Sequence, residues 1–154
     1  MTKVINIFGA PGSGKSTLAF GLMYHLKMKL YEGTTYPFHD QLYTYAKQNK
    51  LLNQLNNKVE YIVTDSPSVQ CIAYDEKEPK VFKQMALDYF NQYNNLNIFL
   101  ERTHKYQPSG RNQTEEQAEI VGNKIKNMLD ELGICYKTLY ANTALENILE
   151  ILNV

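Results

Sequence analysis

This 154-residue sequence lacks tryptophan, an excess of charge of either sign, and any apolar run near the ~20 residues that span a membrane. Its 16 basic and 16 acidic side chains cancel, so no overall field draws the chain to nucleic acid or to a membrane, although a local basic patch is not excluded. The first residues lead directly into a strand-like run without a signal-peptide pattern, so we expect a cytoplasmic protein. We interpret the heavy use of tyrosine, asparagine and lysine as coding bias.

Cysteine is also scarce. Cys71 and Cys135 have no metal-ligand spacing and lie in or near apolar runs. We therefore predict two buried thiols rather than a disulfide, which fits a reducing cytosol. The length is that of one domain with its own core, so we predict a single domain over residues 1–154.

The most informative stretch runs from Val4 to Thr17, VINIFGAPGSGKST. An apolar, β-branched run ends at Phe8, and the next eight residues satisfy G-x-x-x-x-G-K-[ST], the phosphate-binding loop or Walker A pattern. An amphipathic helical pattern follows at once, which is the context that this loop requires. Glycines let the backbone turn so that successive amides face phosphate oxygens, and the helix N-terminus adds the positive end of its dipole.

This loop predicts binding of ATP with Mg²⁺. Lys15 would reach the β- and γ-phosphates, and the Ser16 hydroxyl would bind the metal. The predicted nucleotide-binding residues are Gly9, Ala10, Pro11, Gly12, Ser13, Gly14, Lys15, Ser16 and Thr17.

Strand-like and helix-like patterns alternate along the rest of the chain. Near-continuous apolar runs predict strands covered on both faces, at Val4–Phe8, Val59–Thr64, Leu96–Leu100 and Ile134–Leu139. Helical spacing predicts helices over about 15–30, 38–55, 79–93, 114–132 and 143–152. This alternation predicts an α/β, three-layer P-loop NTPase fold, with a central, mostly parallel sheet of about four or five strands flanked by helices. Ligands in such sheets bind at the carboxyl ends of the strands.

An acidic side chain follows the second predicted strand, in YIVTDSP. This is the pattern of a Walker B aspartate, and Asp65 would reach the magnesium or an attacking hydroxyl if this strand lies beside the first. It would then either hold a metal-bound water or act as general base toward a substrate oxygen. The alternative is an aspartate that caps the turn before Ser66-Pro67.

The segment Glu101–Gln113, ERTHKYQPSGRNQ, contains several cations around a Pro-Ser-Gly turn. Arginines on a mobile lid can neutralise charge on a phosphoryl group in transfer, so we predict a lid over about residues 101–113. Arg111 is the first candidate for that contact and Arg102 the second. The alternative is a solvated basic loop or a patch for a polyanionic partner. His104 is assigned to packing or solvent rather than to catalysis.

Three stretches together resemble a known family: FGAPGSGKSTLA, TDSP and FLERTHKYQPSGRNQTEEQA. They are similar to small P-loop proteins common in bacteriophage genomes, usually labelled AAA-family ATPase or kinase and akin to the kinase domain of NadR-type nicotinamide riboside kinases. The resemblance covers most of the chain. It implies a nucleoside- or nucleotide-kinase-like fold, with Lys15 and Ser16 on ATP–Mg²⁺, Asp65 beside them, and Arg102 and Arg111 closing over the phosphates. A phage-encoded protein would act in the host cytoplasm.

The segment Met28–Pro37 departs from this family. Relatives usually have a second strand there, ending in an acidic segment that helps hold the acceptor, whereas this stretch has no convincing strand. Either Glu32 replaces that acid or the element is missing. The chain also has no room for the helical subdomain and sensor region of an AAA motor.

Two classes of function follow. The first is an ATP- and Mg²⁺-dependent phosphotransferase that moves the γ-phosphoryl group to a nucleoside, nucleotide or modified-base acceptor, with Asp65 orienting or deprotonating it. The second is a nucleotide-binding ATPase switch or partner-binding protein without a small-molecule acceptor, which the short 28–37 segment favours. A third, polynucleotide end kinase, predicts a basic channel that the neutral composition does not indicate. No membrane partner is expected.

Overall fold

The central strand β1 (Lys3–Phe8) is buried along five of its six residues because helices cover both of its faces. The computed structural model describes residues 2–26, 41–74, 80–107 and 114–154. Within these ranges the sheet has four strands, all parallel, in the order β2-β1-β3-β4. The other three strands are β2 (Tyr61–Thr64), β3 (Asn94–Glu101) and β4 (Lys137–Tyr140).

Helices pack on the two faces of this sheet. They are α1 (Lys15–His25), α2 (Gln41–Leu55), α3 (Cys71–Tyr74), α4 (Lys80–Phe90), α5 (Glu115–Glu131) and α6 (Ala144–Leu152), with a 3₁₀ turn over Ser68–Gln70 before α3. Side chains alternate along β1, so Ile5 and Ile7 pack with α1 and α6. Phe8 faces the other way and packs with α3, α4 and α5. The predicted α/β three-layer fold is confirmed.

The last predicted strand was misplaced. Ile134–Leu139 reads as an apolar run, but Ile134 belongs to the turn that caps α5. Gly133 adopts φ +64° in this turn, and the Ile134 amide donates to the Leu129 carbonyl at 2.9 Å. The strand therefore starts at Lys137 and leaves three of its four residues exposed at the sheet edge. The expectation that all strands are covered on both faces is wrong for β4.

The helix after the predicted lid begins as its sequence indicates. The Thr114 hydroxyl accepts from the Gln117 amide at 3.2 Å, and the Gln117 side chain accepts from the Thr114 amide at 2.9 Å. This is a capping box, as the sequence Thr114-Glu115-Glu116-Gln117 indicates, and it satisfies two amides that a helix N-terminus otherwise leaves without partners.

The predictions about which side chains are buried are confirmed only in part. Cys71 is buried but Cys135 is exposed, and neither forms a disulfide, so the prediction of a buried thiol is confirmed for Cys71 and wrong for Cys135. The helical spacing over 38–55 predicts a core face with Leu42, Tyr45 and Leu52. Tyr45 and Leu52 are buried, whereas Leu42 is exposed. The α3 segment was not predicted.

Residues 27–40 and 75–79 lie outside the described residues, including Leu30, Glu32 and the short 28–37 segment. None of the described helices is long and apolar enough to cross a membrane.

A small amide network ties the two central strands together. Asn6 is fully buried on β1 and its Nδ2 donates to the Oδ1 atoms of Asn95 and Asn97 on β3, each at 2.9 Å. Asn97 is also the register partner of Asn6. Since a one-residue slip would leave these buried groups without partners, the network fixes the register of β1 against β3.

Replacing Asn6 by leucine tests this network. The change keeps the volume but leaves the two acceptor oxygens of Asn95 and Asn97 without that donor, so we expect a loss of about 1–3 kcal/mol in the free energy of unfolding. Urea denaturation followed by circular dichroism measures it. Asn91→Leu, at an exposed position, is the control. Equal stability of the two variants would contradict the assigned role.

Candidate active site

The turn between β1 and α1 is built from glycines in conformations that other residues rarely adopt. Gly9, Gly12 and Gly14 have φ angles of +146°, +81° and +94°. At Gly9 a Cβ atom would lie 2.7 Å from the Leu100 carbonyl oxygen, so the loop passes too close to β3 for any side chain. The three glycines of the predicted loop therefore stand at positions where the backbone conformation favours glycine.

Lys15 is the first residue of α1, and its side chain folds back over this loop. Its Nζ donates to the carbonyl oxygens of Gly9 and Ala10, both at 2.9 Å. The ammonium group is thus held across the mouth of the loop, beside the backbone that the Walker A pattern assigns to phosphate.

Ser16 and Asp65 meet at the same edge of the sheet. The Ser16 hydroxyl donates to Asp65 Oδ2 at 2.6 Å, across 49 residues of sequence. Because β2 pairs parallel to β1, the carboxyl ends of both strands lie side by side and Asp65 follows β2 directly. A hydroxyl and a carboxylate are the hard oxygen donors that Mg²⁺ prefers.

The donor set fits a magnesium ion that is completed by phosphate and water. Mg²⁺ usually takes one or two protein oxygens and keeps its remaining positions for substrate and water. Within the described residues no group of three or more histidines, cysteines and carboxylates could hold a metal. Ser16 and Asp65 thus fit this mode of binding rather than a closed protein cage.

Ser13 contributes a buried hydroxyl inside the loop. The residue is 1% exposed, and within the described part of the chain its Oγ has no hydrogen-bond partner. A buried polar atom without a partner costs roughly 1–3 kcal/mol, so its persistence at this point requires an explanation.

Arg102, the second lid candidate, is ion-paired with the helix that follows the lid. Its NH2 lies 2.6 Å from Glu115 Oε1 and 3.8 Å from Glu119 Oε1, and its guanidinium lies 5.1 Å from the centre of the Tyr106 ring. Both carboxylates are more than half exposed, so the pairs are screened by water. Arg111, the first candidate, lies outside the described residues, as do Gly110 and Gln113.

His104 lies beside the loop, in a cavity that sequence reasoning missed. Its Cε1 would be 3.7 Å from a Cβ atom built on Gly14. A cavity of about 480 Å³ lies there, bounded also by Thr17 and by Ala141 and Asn142, which follow β4. The rule that ligands bind past strand ends points to the residues that follow β4, but no local motif marks His104.

Helix α5 packs directly against the loop, which sequence reasoning also missed. A Cβ atom on Gly122 would lie 2.9 Å from the Cβ of Ala10. Lys126 on the same helix pairs with Glu101 at the end of β3. The sequence signal for this contact was Gly122 itself. Glycine inside a helix costs about 1 kcal/mol relative to alanine, so its presence in a strongly helical stretch indicates that packing requires it.

A family model described as RNA helicase matches residues 5–83, from β1 through α1, α2 and β2 into α4. The chain belongs to the RNA helicase family. The matched region includes the glycine loop, Lys15, Ser16 and Asp65. A comparison with curated proteins found no match.

Solved structures with the same fold include those of deoxyadenosine kinase from M. mycoides. The form with bound dATP has a TM-score of 0.58 at 19% identity, over 98% of this chain and 100% of that one. The form described with dCMP and a flexible dCDP has a TM-score of 0.57 at 19% identity, over 97% and 98%. The form with bound dCTP has a TM-score of 0.56 at 16% identity, also over 97% and 98%. The chain therefore has a P-loop kinase-like fold.

Substituting the two helical glycines tests the contact between α5 and the loop. Gly122→Ala would place a methyl group against Ala10, so we expect a loss of about 1–3 kcal/mol in the free energy of unfolding. Gly21→Ala is the matched control, since its Cβ would meet only the flexible Leu145 side chain at 3.4 Å, and helix propensity favours it by roughly 0.5–1 kcal/mol. Thermal unfolding measures both. If the free energy of unfolding changed in the same direction in both variants, the result would contradict the contact.

Proposed function

We propose that this chain is an ATP- and Mg²⁺-dependent phosphotransferase of the nucleoside or nucleotide kinase type. The observation that carries the proposal is the 2.6 Å contact of Ser16 with Asp65 beside a glycine loop that Lys15 closes. The acceptor would be a nucleoside, a nucleotide or a modified base, in line with the resemblance to NadR-type kinases. The kinase-like fold supports this class of reaction without naming its acceptor.

Residues of the loop would bind and orient the triphosphate. Its amides would face the β- and γ-phosphates, and Lys15 would exchange a carbonyl partner for a phosphate oxygen. Ser16 and Asp65 would hold Mg²⁺, which would supply positive charge against the phosphates. Asp65 would also orient or deprotonate the acceptor hydroxyl.

The cavity beside Gly14 and His104 is our candidate for the nucleotide's base. It adjoins the start of α1, where the loop ends, and its volume of about 480 Å³ lies within the range of small-molecule sites. The imidazole and the Asn142 amide at its border offer hydrogen bonds to a heterocycle.

When the lid closes, Arg102 would exchange its carboxylate partners, Glu115 and Glu119, for a phosphate of the nucleotide. Its ion pairs involve exposed glutamates, and such pairs contribute only about 0–1 kcal/mol, so a phosphate can displace them. Arg111 is proposed to make the second lid contact. Bidentate arginine contacts suit the planar spread of charge over a phosphoryl group in transfer.

Membership of the RNA helicase family favours a second candidate, an ATPase whose turnover is set by a macromolecular partner. The same loop, lysine and aspartate would then bind ATP and orient water instead of an acceptor. The two candidates differ in what accelerates turnover. A kinase responds to one added nucleoside or nucleotide, whereas the ATPase responds to RNA or a protein.

The decisive experiment follows labelled phosphate from ATP with a panel of nucleosides, nucleotides and modified-base DNA. We expect transfer to one class of acceptor, lost in Lys15→Ala and reduced on the order of 10²–10⁴-fold in Asp65→Asn because the latter keeps the shape but removes the base and metal ligand. Lys83→Ala, an exposed lysine of α4, is the control. Hydrolysis indifferent to every acceptor but stimulated by RNA would replace the kinase proposal with the ATPase.

Ser13→Ala gives two effects of opposite sign. It removes a buried hydroxyl without a described partner, so the nucleotide-free protein should become more stable by about 1–3 kcal/mol. It also removes a group that we propose donates to phosphate, so ATP affinity should fall about threefold to tenfold, as expected for one hydrogen bond. Thermal unfolding with and without Mg-ATP measures both effects. Unchanged affinity would exclude Ser13 from the phosphate site.

A further inference from the structure

An open groove runs between α2 and α4, away from the phosphate loop, and its volume is about 700 Å³. The residues of α2 that line it recur every three or four positions from Leu42 to Asn53, so one stripe of the helix faces the groove. This stripe covers about three turns, or roughly 17 Å at 1.5 Å per residue. Met85 and Tyr89, one turn apart on α4, form the other wall. The groove therefore has the length of a short helix.

The groove is separate from the candidate active site but shares a helix with it. Gln48 lies on another face of α2, where its Nε2 donates to the Ser66 hydroxyl at 2.7 Å, next to Asp65. Gln48 is not part of the groove lining. A molecule bound in the groove would thus contact α2 without blocking the phosphate loop.

Part of the groove surface is apolar. Leu42 is 45% exposed and the Tyr89 ring is 41% exposed, and Ala46 and Met85 also line the groove. Methionine adapts its shape to different partners, and grooves of this kind take up the apolar face of a helix in several recognition systems. Covering these side chains would remove apolar area from water, which favours association.

The charge of the groove has one sign. From Gln41 to Val59 the chain has three lysines and no acidic residue. Of these lysines, Lys50 and Lys58 line the groove and are exposed, and none of the described residues that line it is acidic. Both lie toward the C-terminal end of α2, beyond Leu42 and Ala46. The groove thus complements carboxylates at one end of a bound segment.

The other polar groups of the groove are mainly donors. The Tyr93 hydroxyl lies 2.6 Å from Asn53 Oδ1 and 3.2 Å from Asn49 Oδ1, so these amide oxygens face Tyr93 and leave their nitrogens to donate. Tyr45 also lines the groove, and its buried hydroxyl has no hydrogen-bond partner among the described residues. Burial raises the pKa of this phenol, so it stays protonated. A bound segment with oxygen acceptors would satisfy these donors, whereas a purely apolar one would not.

Three kinds of occupant use these groups differently. A nucleic acid strand carries phosphates along its whole length, whereas the lysines of the groove lie at one end. A second copy of the chain, related by a twofold axis, would bring the same lysines together. An acidic amphipathic helix matches both parts, because its apolar stripe can cover one part of the groove while its carboxylates reach the lysines.

From these contacts we infer that the α2–α4 groove binds an acidic amphipathic helix of a partner protein. Its apolar side chains pack against Leu42, Met85 and Tyr89. Its carboxylates pair with Lys50 and Lys58. The inference is independent of ATP chemistry at the loop, and it assigns the groove a partner whether the loop serves a kinase or an ATPase.

Fluorescence anisotropy tests the inference with two labelled synthetic peptides of about 15 residues, each with a leucine stripe at i, i+3 and i+7. One carries glutamates at one end and the other carries lysines at the same positions. We expect the full-length protein, without ATP, to bind the glutamate peptide at least about tenfold more tightly than the lysine peptide. The affinity should fall between about 50 and 200 mM salt, because exposed ion pairs are screened.

Reversing the charge of the groove should reverse its choice of peptide. Lys50→Glu/Lys58→Glu should bind the glutamate peptide at least about tenfold more weakly than the wild type and should bind the lysine peptide more tightly than the wild type does. The control, Lys83→Glu/Lys137→Glu, makes the same charge change at exposed lysines outside the groove and should keep the wild-type preference.

A second pair of variants tests the apolar part of the groove. Leu42→Ala/Tyr89→Ala should weaken binding of the glutamate peptide about tenfold, at low and at high salt alike, because the lost contact is not ionic. The matched control is Ile120→Ala/Tyr140→Ala, at residues that are exposed elsewhere on the surface, and it should bind as the wild type does. Circular dichroism shows whether each variant is folded.

Several results would overturn the assignment. They are equal binding of the two peptides, equal loss in a control variant, and a charge reversal that does not change the preferred peptide. Displacement of the glutamate peptide by a single-stranded RNA that binds more tightly through the same lysines would replace the helix with nucleic acid. A wild-type dimer that the groove variants convert to monomer, seen by sedimentation, would identify the surface as a contact between copies of the chain.

Discussion

The parallel pairing of β1 with β2 and β3 is the constraint on which the candidate site depends. Its register sets Asn6 opposite Thr64 and Phe8 opposite Phe99, so three strand ends come together at one edge. The loop begins immediately after Phe8, and Asp65 immediately after Thr64. The contact of Ser16 with Asp65 follows from these pairings, because it requires β2 to lie beside β1.

Helix α5 connects the loop to the segment expected to close over it. Gly122 packs on Ala10, and Glu115 in its first turn holds Arg102. The capping box at Thr114 fixes where this helix starts and hence where Glu115 lies. A displacement of α5 would therefore be felt both at the loop and at Arg102.

Sequence patterns predicted the parts of the fold that are encoded locally. The glycine loop, the strand before Asp65 and the capped start of α5 each depend on residues within a few positions of one another. The register of β4, the contact of Gly122 with Ala10 and the Asn6 network depend on residues far apart in the chain, so no local pattern could have given them. Glu115 reads as an ordinary first-turn acid, and only the tertiary fold brings Arg102 to it.

Net charge says little about local charge, and the reason is physical. Interactions between exposed charges fade over a Debye length, about 8 Å at physiological salt, so a ligand responds to nearby side chains rather than to the total. In this chain five acidic residues belong to α5, whereas α2 has lysines and no acid. A zero sum therefore indicates no overall field that would steer a polyanion, but it does not determine the charge of any one helix.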